Sequence, residues 1–395
     1  MRFLTAGESH GKGIVSIIDG YPSGVGIDKG FLNAELSRRQ KGYGRGKRMS
    51  IENDIVEIIS GIRKGKSTGA PVSFIVSNRD WRNWKDIMDV GPVSGAGGSD
   101  SGIRLLNPRP GHADINGYLK YRLNDIRDVI ERSSARETAA RVAAGGFAKI
   151  ILKLLGIEVF SYVERIGDVA IDSEVGIENS SGGNKALLKK IESSEVRCPD
   201  KEESSKMKEE IKKTISNGDT VGGNFKVIAT GVLAGLGSYS QWDRRIDGEI
   251  ARMFMSIPAA KAVEIGDGFN SPGITGINFH DKIYYDKDRG FYRKTNRAGG
   301  IEGGITNGEP VVVGTYMKPI PTTSKGLDSV NIETKESVIS LKERSDVCVV
   351  PAAAVVGESM LSIVLVNAIQ EKFGGDSIEE ILDNYNNYKK YLKNV

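Results

Sequence analysis

Histidine is scarce in this sequence, and two of its three histidines stand among glycine and charge. His10 lies in Gly7-Glu8-Ser9-His10-Gly11, after an apolar start. His112 lies in Arg109-Pro110-Gly111-His112-Ala113-Asp114, after a Gly/Ser loop. A lone histidine is more often structural than catalytic, and His280 receives that reading. Around His10 and His112 the neighbours specify backbone and charge more tightly than solvation requires. An imidazole among guanidinium groups and anions can act as acid or base near neutral pH. No H-E-x-x-H and no Cys/His cluster is present, so no metal centre is expected.

The basic residues also cluster. Arg38, Arg39, Lys41, Arg45, Lys47 and Arg48 follow one another with no acid between them, interrupted by Gly42, Gly44 and Gly46. A charge run is usually a solvated face. Arginines on a glycine hinge, however, suit bidentate recognition of phosphate or carboxylate. Arg104 and Arg109 add to the set, and Arg132-Ser133-Ser134 predicts an anion site at a helix N-terminus. Ser134 would be an ordinary N-cap in either case. Gly61-Ile62-Arg63-Lys64-Gly65-Lys66-Ser67 resembles a P-loop but is one spacer short, and it reads as a hairpin. The runs Ala298–Gly304 and Lys318–Thr322 could wrap a cofactor through backbone contacts or simply turn between strands. Glu343-Arg344-Ser345-Asp346 offers either an ion pair or a placed acid beside an anion-binding arginine. The residues alone therefore predict an enzyme with a multi-arginine pocket for a small, several-times-anionic ligand, with His10 and His112 as acid–base groups.

These groups need a scaffold, and 395 residues suffice for one large domain or two to three ordinary ones. Hydrophobic residues at 39% and charged residues at 27% are ordinary globular values. A net charge of +4 argues for neither nucleic acid nor membrane as a partner. Cys198 and Cys348 form no metal or disulfide framework, which predicts a reducing compartment. The start lacks a signal-peptide layout. The apolar stretch Val355–Ile369 is interrupted by Gly357, Glu358, Ser359, Ser362 and Asn367, short of the roughly 20 residues a spanning helix needs. A cytoplasmic protein is expected. Forty-nine glycines, about 12% against a usual ~7%, imply many positive-φ positions or close approaches.

Strand-like runs cover Gly13–Asp19, Ile55–Ile62, Val72–Ser77, Ile157–Ile166, Asn224–Val232, Gly276–Tyr285 and Pro310–Met317. Ser134-Ala135-Arg136-Glu137 reads as a capping box opening a helix to Leu155, closed by Gly156, with Ala139, Val142, Gly146, Ile150 and Leu154 on one stripe. Helices are also expected over Asp243–Ser256, Pro351–Phe373 (buried) and Ser377–Leu392. Segment 172–218 is polar and reads as a surface helical excursion of a single 1–395 domain. No repeat at a fixed period is visible. The mixture favours an α/β or α+β architecture.

At its motifs the sequence closely resembles the chorismate synthase family. The matching stretches are GESHG (7–11), RRQKGYGRGKRM (38–49), RPGHAD (109–114), RSSARETAARVAAGG (132–146), DGEIARMFMSIPAAKAVEIGDGF (247–269), AGGIEGG (298–304), MKPIPT (317–322) and RSDVCVVPAAAVVGE (344–358). They span nearly the whole chain in family order, and segment 172–218 carries little of the match. The resemblance implies an α+β fold: a β–α–β sandwich of two antiparallel sheets around a helical layer, internally pseudo-symmetric, assembled as a homotetramer. It implies loss of phosphate from 5-enolpyruvylshikimate 3-phosphate by anti-1,4-elimination, giving chorismate, with reduced FMN required although there is no net redox change.

By the same resemblance, His112 is the acid near the departing phosphate, His10 lies near the reduced flavin, and Asp346 assists proton removal at flavin N5. Ser9, Arg48, Arg109, Arg136 and Arg344 would hold the substrate. Arg132, Ser133, Ser134, Pro258, Ala259, Gly303, Lys318, Pro319, Ile320, Pro321, Thr322 and Arg344 would hold FMN. Arg39 and Arg45 match positions associated with NADPH, although phosphate binding explains them equally. Two departures bear on loop geometry: Ala262 stands where glycine is expected, and Thr323 where an apolar residue is common. The rivals are an RNA- or polyphosphate-binding protein using the arginine run, against which low aromatic content counts, and a flavin oxidoreductase with net turnover of reductant.

Overall fold

The computed structural model describes residues 1–46, 53–91, 104–172, 175–180, 182–342 and 346–395. In the first part of the chain β1 (Arg2–Ala6) and β2 (Gly13–Asp19) precede α1 (Lys29–Gln40). Then come β3 (Val56–Ser60), the small hairpin β4 (Ile62–Arg63)–β5 (Lys66–Ser67), and β6 (Val72–Ser77). These form an antiparallel sheet of order β1-β2-β6-β3. Val72, Phe74 and Val76 alternate into the core, the period that a half-covered strand requires. The short helices α2 (Trp81–Trp84), α3 (Asp114–Tyr121) and α4 (Arg127–Ser133) follow. A 3-10 turn at Ala135–Glu137 then opens α5 (Thr138–Leu154).

The rest of the chain carries longer insertions. It runs β7 (Glu158–Ile166), β8 (Val169–Ala170), α6 (Lys185–Ser193), α7 (Lys201–Ser216), β9 (Gly223–Thr230), α8 (Ile246–Met255), β10 (Ala260–Ile265) and α9 (Gly276–Phe279). The hairpins β11 (Ile283–Asp286)–β12 (Gly290–Arg293) and β13 (Ile301–Glu302)–β14 (Ile305–Thr306) lead to β15 (Val311–Met317). A further pair, β16 (Asp328–Val330)–β17 (Ser337–Ile339), precedes α10 (Val350–Phe373) and α11 (Ile378–Asn394). The second sheet has the order β10-β15-β9-β7-β8. In both sheets the four long strands take the spatial order first, second, fourth, third. A helix sits between the second and third, and a long helix follows the fourth.

One hairpin pattern recurs in the sequence without a fixed period. G-I-x-x-G-x-[ST]-x-G-x-P-V occurs at 61–72 and again at 300–311. Both copies fold as hairpins whose turn residues have positive φ: Lys64 and Gly65 at 52° and 76°, Gly303 and Gly304 at 59° and 83°. Ser67 donates to the Pro22 carbonyl (2.6 Å), and its counterpart Thr306 donates to that of Leu233 (2.7 Å). The P-loop lookalike is thus a hairpin, as its spacing implied.

α1 and α5 lie on the first sheet, α8 and α10 on the second, and α5 packs along α10. At that contact a Cβ on Gly145 would fall 2.2 Å from the Ser359 Cβ. α10 corrects the interrupted reading of Val355–Ile369, because it is 24 residues long and has the hydropathy of a spanning helix. Every residue from Val350 to Val366 is buried against α1, α5, α8, β7 and β9, so it is a core helix.

One charge sits within it. Glu358 accepts hydrogen bonds from Arg38 (2.7 and 2.8 Å), Lys149 (2.5 Å), Arg197 (3.0 Å) and Ser161 (2.6 Å). Glu35 pairs with Arg38 and Lys149, and Glu192 with Arg38 and Arg197, so three carboxylates face three cations. Burial pushes the Glu358 carboxyl up, but Arg38, Lys149 and Arg197 outweigh it and hold it well below the carboxylate range. Segment 172–218 is therefore only outwardly polar. Glu192 and Arg197 enter this network, and Met207 and Ile211 enter the core, while Ile215 stays exposed.

Other expectations need correction. Gly276–Tyr285 is not a strand but α9 followed by β11. The Asp281 carboxylate accepts the backbone N–H groups of Arg297 and Ala298, which breaks the extended run. The capping box at Ser134 does not form, because Glu137 is taken by Thr5 (2.9 Å) and Arg141 (2.8 Å). Leu154 at the end of the α5 stripe is exposed, since the helix is buried nearly all round in its earlier turns. Ala262 is accommodated by a register shift between Ala260 and Ala262 in β10.

Candidate active site

The loop between β1 and β2 carries Ser9 and His10, and Asn78 just past β6 holds it in shape. The Asn78 amide donates to the carbonyls of Glu8 (3.1 Å) and Gly11 (2.8 Å), while its oxygen accepts Arg136 Nε (2.8 Å). Ser9 is buried, donates its N–H to the Glu131 carbonyl (2.9 Å) and meets the Ser134 hydroxyl at 3.2 Å. Arg132 and Ser133 close α4 instead of opening a helix, which corrects the N-terminal anion site read from Arg132-Ser133-Ser134. Arg132 reaches the carbonyls of Thr5 (2.9 Å) and Gly7 (3.2 Å). Ser134 alone keeps the capping role, accepting from Arg136 N (3.3 Å).

Beside this loop lies a buried arginine group. Asp54 binds Arg39 (2.7 Å) and Arg136 (2.6 Å), with all three side chains 4% exposed or less. Arg45 binds Asp346 (2.7 Å), whose other oxygen accepts the Gly46 N–H (2.6 Å). Burial, with Arg45 and Arg136 close by, pulls the Arg39 guanidinium below its usual value despite Asp54. Burial pushes the Asp54 carboxyl up, but the two arginines outweigh it and the net shift is downward.

The second histidine sits against residues from both halves of the chain. Asp114, fully buried, accepts Arg109 N (3.0 Å) and Nε (2.9 Å) and pairs with His112 Nδ1. Burial raises the Asp114 carboxyl, but the bonds from His112 and Arg109 overcome this and leave it far below the usual range. Arg109 continues to Thr322 (3.1 Å). Lys318 donates to the Gly111 carbonyl, and its N–H to that of Ala259 (3.0 Å), which itself has φ of 69°. Gly111 has φ of 78°, a left-handed conformation that favours glycine, while a Cβ there would make only ordinary contact with Lys318 Nζ and Pro321. Thr220 donates to the Ile320 carbonyl (2.7 Å), fixing the Lys318–Thr322 stretch, and burial together with Lys261 lowers the Lys318 ammonium.

Ser9, His10, Arg132, Ser133, Ser134 and Arg136 are thus brought together, as are Arg109, His112, Ala259, Lys318 and Thr322. Gly303 lies in the hairpin before β15, which sits beside Gly237 and Arg245, and no hydrogen bond among the described residues joins it to either group. Arg48 and Arg344 lie outside the described residues. Sequence reasoning did not single out Asp54, Asn78, Glu131 or Trp84. The last aspartate of RPGHAD was noticed only as a neighbour of His112, although a carboxylate two residues from a histidine is a readable signal.

The whole chain can now be set beside known proteins. A model of the chorismate synthase family matches residues 1–370. This chain belongs to the chorismate synthase family. Chorismate synthase from Sulfurihydrogenibium sp. (strain YO3AOP1) is 51% identical over 396 residues, covering 100% of both chains. That from Desulforudis audaxviator (strain MP104C) is 49% identical over 395 residues, covering 100% of this chain and 98% of the relative. A crystal structure of chorismate synthase superposes with a TM-score of 0.79 at 39% identity, covering 100% of this chain and 98% of that one. The chain is an enzyme of this family, a carbon–oxygen lyase of class EC 4.2.3.5 in the shikimate pathway, acting on a small molecule.

Proposed function

We propose that the enzyme converts 5-enolpyruvylshikimate 3-phosphate to chorismate and phosphate by anti-1,4-elimination with reduced FMN. The observation that carries this is a surplus of cations beside two histidines. Arg132 and Lys318 are held by backbone carbonyls, and among the described residues neither meets a carboxylate. Cations so placed fit a substrate with one phosphate and two carboxylates and an FMN phosphate beside it. The donor set therefore suits the cofactor, with Arg132, Ser133, Ser134, Ala259 and Lys318–Thr322 as its holders. When bound there, reduced FMN would supply transient electron density with no net change of oxidation state.

The protein's own groups do the rest. The ring C6–H and C3–O bonds break, one further ring double bond forms, and the electron pair leaves with phosphate. Ser9, Arg109 and Arg136 orient the anions, with Arg48 and Arg344 assigned there by the family motif. His112, whose Nδ1 faces Asp114, donates a proton from Nε2 to the departing phosphate oxygen. Asp346, held by Arg45 and the Gly46 amide, would assist removal of the proton at flavin N5. His10 acts as the acid–base group nearest the flavin.

Reduced FMN supplied from outside suits this site better than NADPH held at Arg39 and Arg45, since Arg39 is buried against Asp54 and Arg45 is paired with Asp346. Arg38, Arg39 and Arg45 are all committed to carboxylates of this chain, which counts against a stripe for RNA. The two sheets with helices between them, and their shared strand order, support a single-domain β–α–β sandwich with internal pseudo-symmetry. Leu4, Ile17 and Ile59 are exposed on the first sheet, and Tyr239 and Trp242 near the Gly303 hairpin. We read these as subunit contacts of a homotetramer in which Gly303 serves a neighbour's flavin site. Two free, buried cysteines suit a cytoplasmic location.

The test is anaerobic incubation with 5-enolpyruvylshikimate 3-phosphate and a catalytic amount of chemically reduced FMN. Many chorismates per flavin are expected. Stoichiometric consumption of reductant would favour the oxidoreductase, and absence of both product and flavin binding would overturn the assignment.

A further inference from the structure

One residue holds His10 at two points. Glu131, 3% exposed, accepts the His10 backbone N–H at Oε2 (2.8 Å). Its two oxygens face the ring Nδ1 at 2.9 and 3.0 Å. The Glu131 carbonyl takes the N–H of Ser9, so the same residue shapes the loop before the ring. The flat of the imidazole lies on Trp84, with centroids 3.9 Å apart and planes 27° from parallel. Trp84 is itself fixed by its Nε1 donating to Asp80 (3.1 Å). Both the position and the rotation of the ring are therefore set before any ligand arrives. His112 is the other histidine with a carboxylate at Nδ1, whereas among the described residues none pairs with His280.

A neutral imidazole carries its proton on one nitrogen or the other, and an ionised carboxylate at Nδ1 selects the Nδ1–H form. Nε2, on the opposite edge of the ring, is then the nitrogen that exchanges a proton with the ligand. We propose that Glu131 is the positioning residue of His10, fixing its tautomer and ring plane so that Nε2 is the working atom. The kinetic consequence rests on the reading of His10 as an acid–base group, whereas the tautomer does not.

The experiment uses the full-length enzyme with 15N-labelled histidine, at a pH where the imidazoles are neutral. The three histidines are assigned with His10→Asn and His280→Asn. The ring nitrogen shifts are expected to show Nδ1–H at His10, and a mixture with Nε2–H in Glu131→Ala, with His280 unmoved as the control. Glu131→Gln, which keeps an acceptor oxygen, is expected to retain the tautomer. In turnover, Glu131→Ala should lose about 10- to 100-fold in kcat with KM changed less than about 3-fold, and Glu131→Gln should recover much of it. An unchanged His10 tautomer in Glu131→Ala overturns the proposal, and so does an unchanged kcat when His10→Asn is slow. If His10→Asn itself turns over normally, the acid–base reading of His10 falls, while the tautomer result still decides what Glu131 does to the ring. Should Glu131→Ala not fold, the pair Glu131→Gln and Glu131→Asp decides: loss of the Nδ1–H form in both refutes the rescue expected of an acceptor oxygen.

Discussion

Asp54 is one carboxylate shared by two buried guanidiniums, so its removal has a calculable cost. In Asp54→Asn the side-chain shape and one acceptor oxygen remain, and only the charge goes. Arg39 and Arg136 then lose the anion that meets them at 2.7 and 2.6 Å. Breaking a buried pair by deleting one partner costs about 3–5 kcal/mol, because the other charge stays desolvated. Against a total stability on the order of 5–15 kcal/mol this is large. It should lower the midpoint of urea unfolding by on the order of 1 M. Asp54→Ala should fall at least as far.

The loss should also depend on pH in a defined direction. The folded-state Asp54 carboxyl lies below its ordinary value, so its contribution is complete above the ordinary carboxylate range. It disappears as pH falls through the folded value, and the gap between wild type and variant should close there. Urea titrations at neutral and acid pH measure both effects. An unchanged midpoint at neutral pH would mean that the guanidiniums are compensated without Asp54, and the buried-charge reasoning would be wrong.

Asp114→Asn removes the charge facing His112 and loosens Arg109; single-turnover phosphate release should slow about 10- to 100-fold, and a rate within about 2-fold of wild type would contradict the role given to His112. Gly145→Ala forces a Cβ against the Cβ and Cα of Ser359, and thermal unfolding should report a loss of about 1–3 kcal/mol from overpacking where α5 meets α10.

The sequence shows what the chemistry uses more clearly than what supports it. His10, His112 and the arginines stand out because rare or clustered residue types are visible in a single chain. Val72–Ser77, Gly13–Asp19 and α10 are legible because period 2 and a nearly all-round apolar run leave a local signature. Asp54, Asn78 and Glu131 were not, because one carboxylate or amide among many acquires meaning only when the fold brings its partners from far along the chain. The start of α5 was misread for the same reason: Thr5, on β1, claims the glutamate that a local capping box would have used. The hairpin motif shared by 61–72 and 300–311 escapes a search for fixed periods, because two copies so far apart set no period.

The six-membered ion network around Glu358 has a consequence for the order of assembly. Its cations come from α1, from α5 and from the turn after α6, and its central anion arrives on α10, close to the end of the chain. Until that helix docks, burying those three segments against one another would strand positive charge away from water, which Glu35 and Glu192 only partly offset. Neither half of the molecule can therefore close its interior alone while the chain is still being made. α10 works as a key that completes both halves at once, and a chain truncated before residue 358 should remain open at its centre.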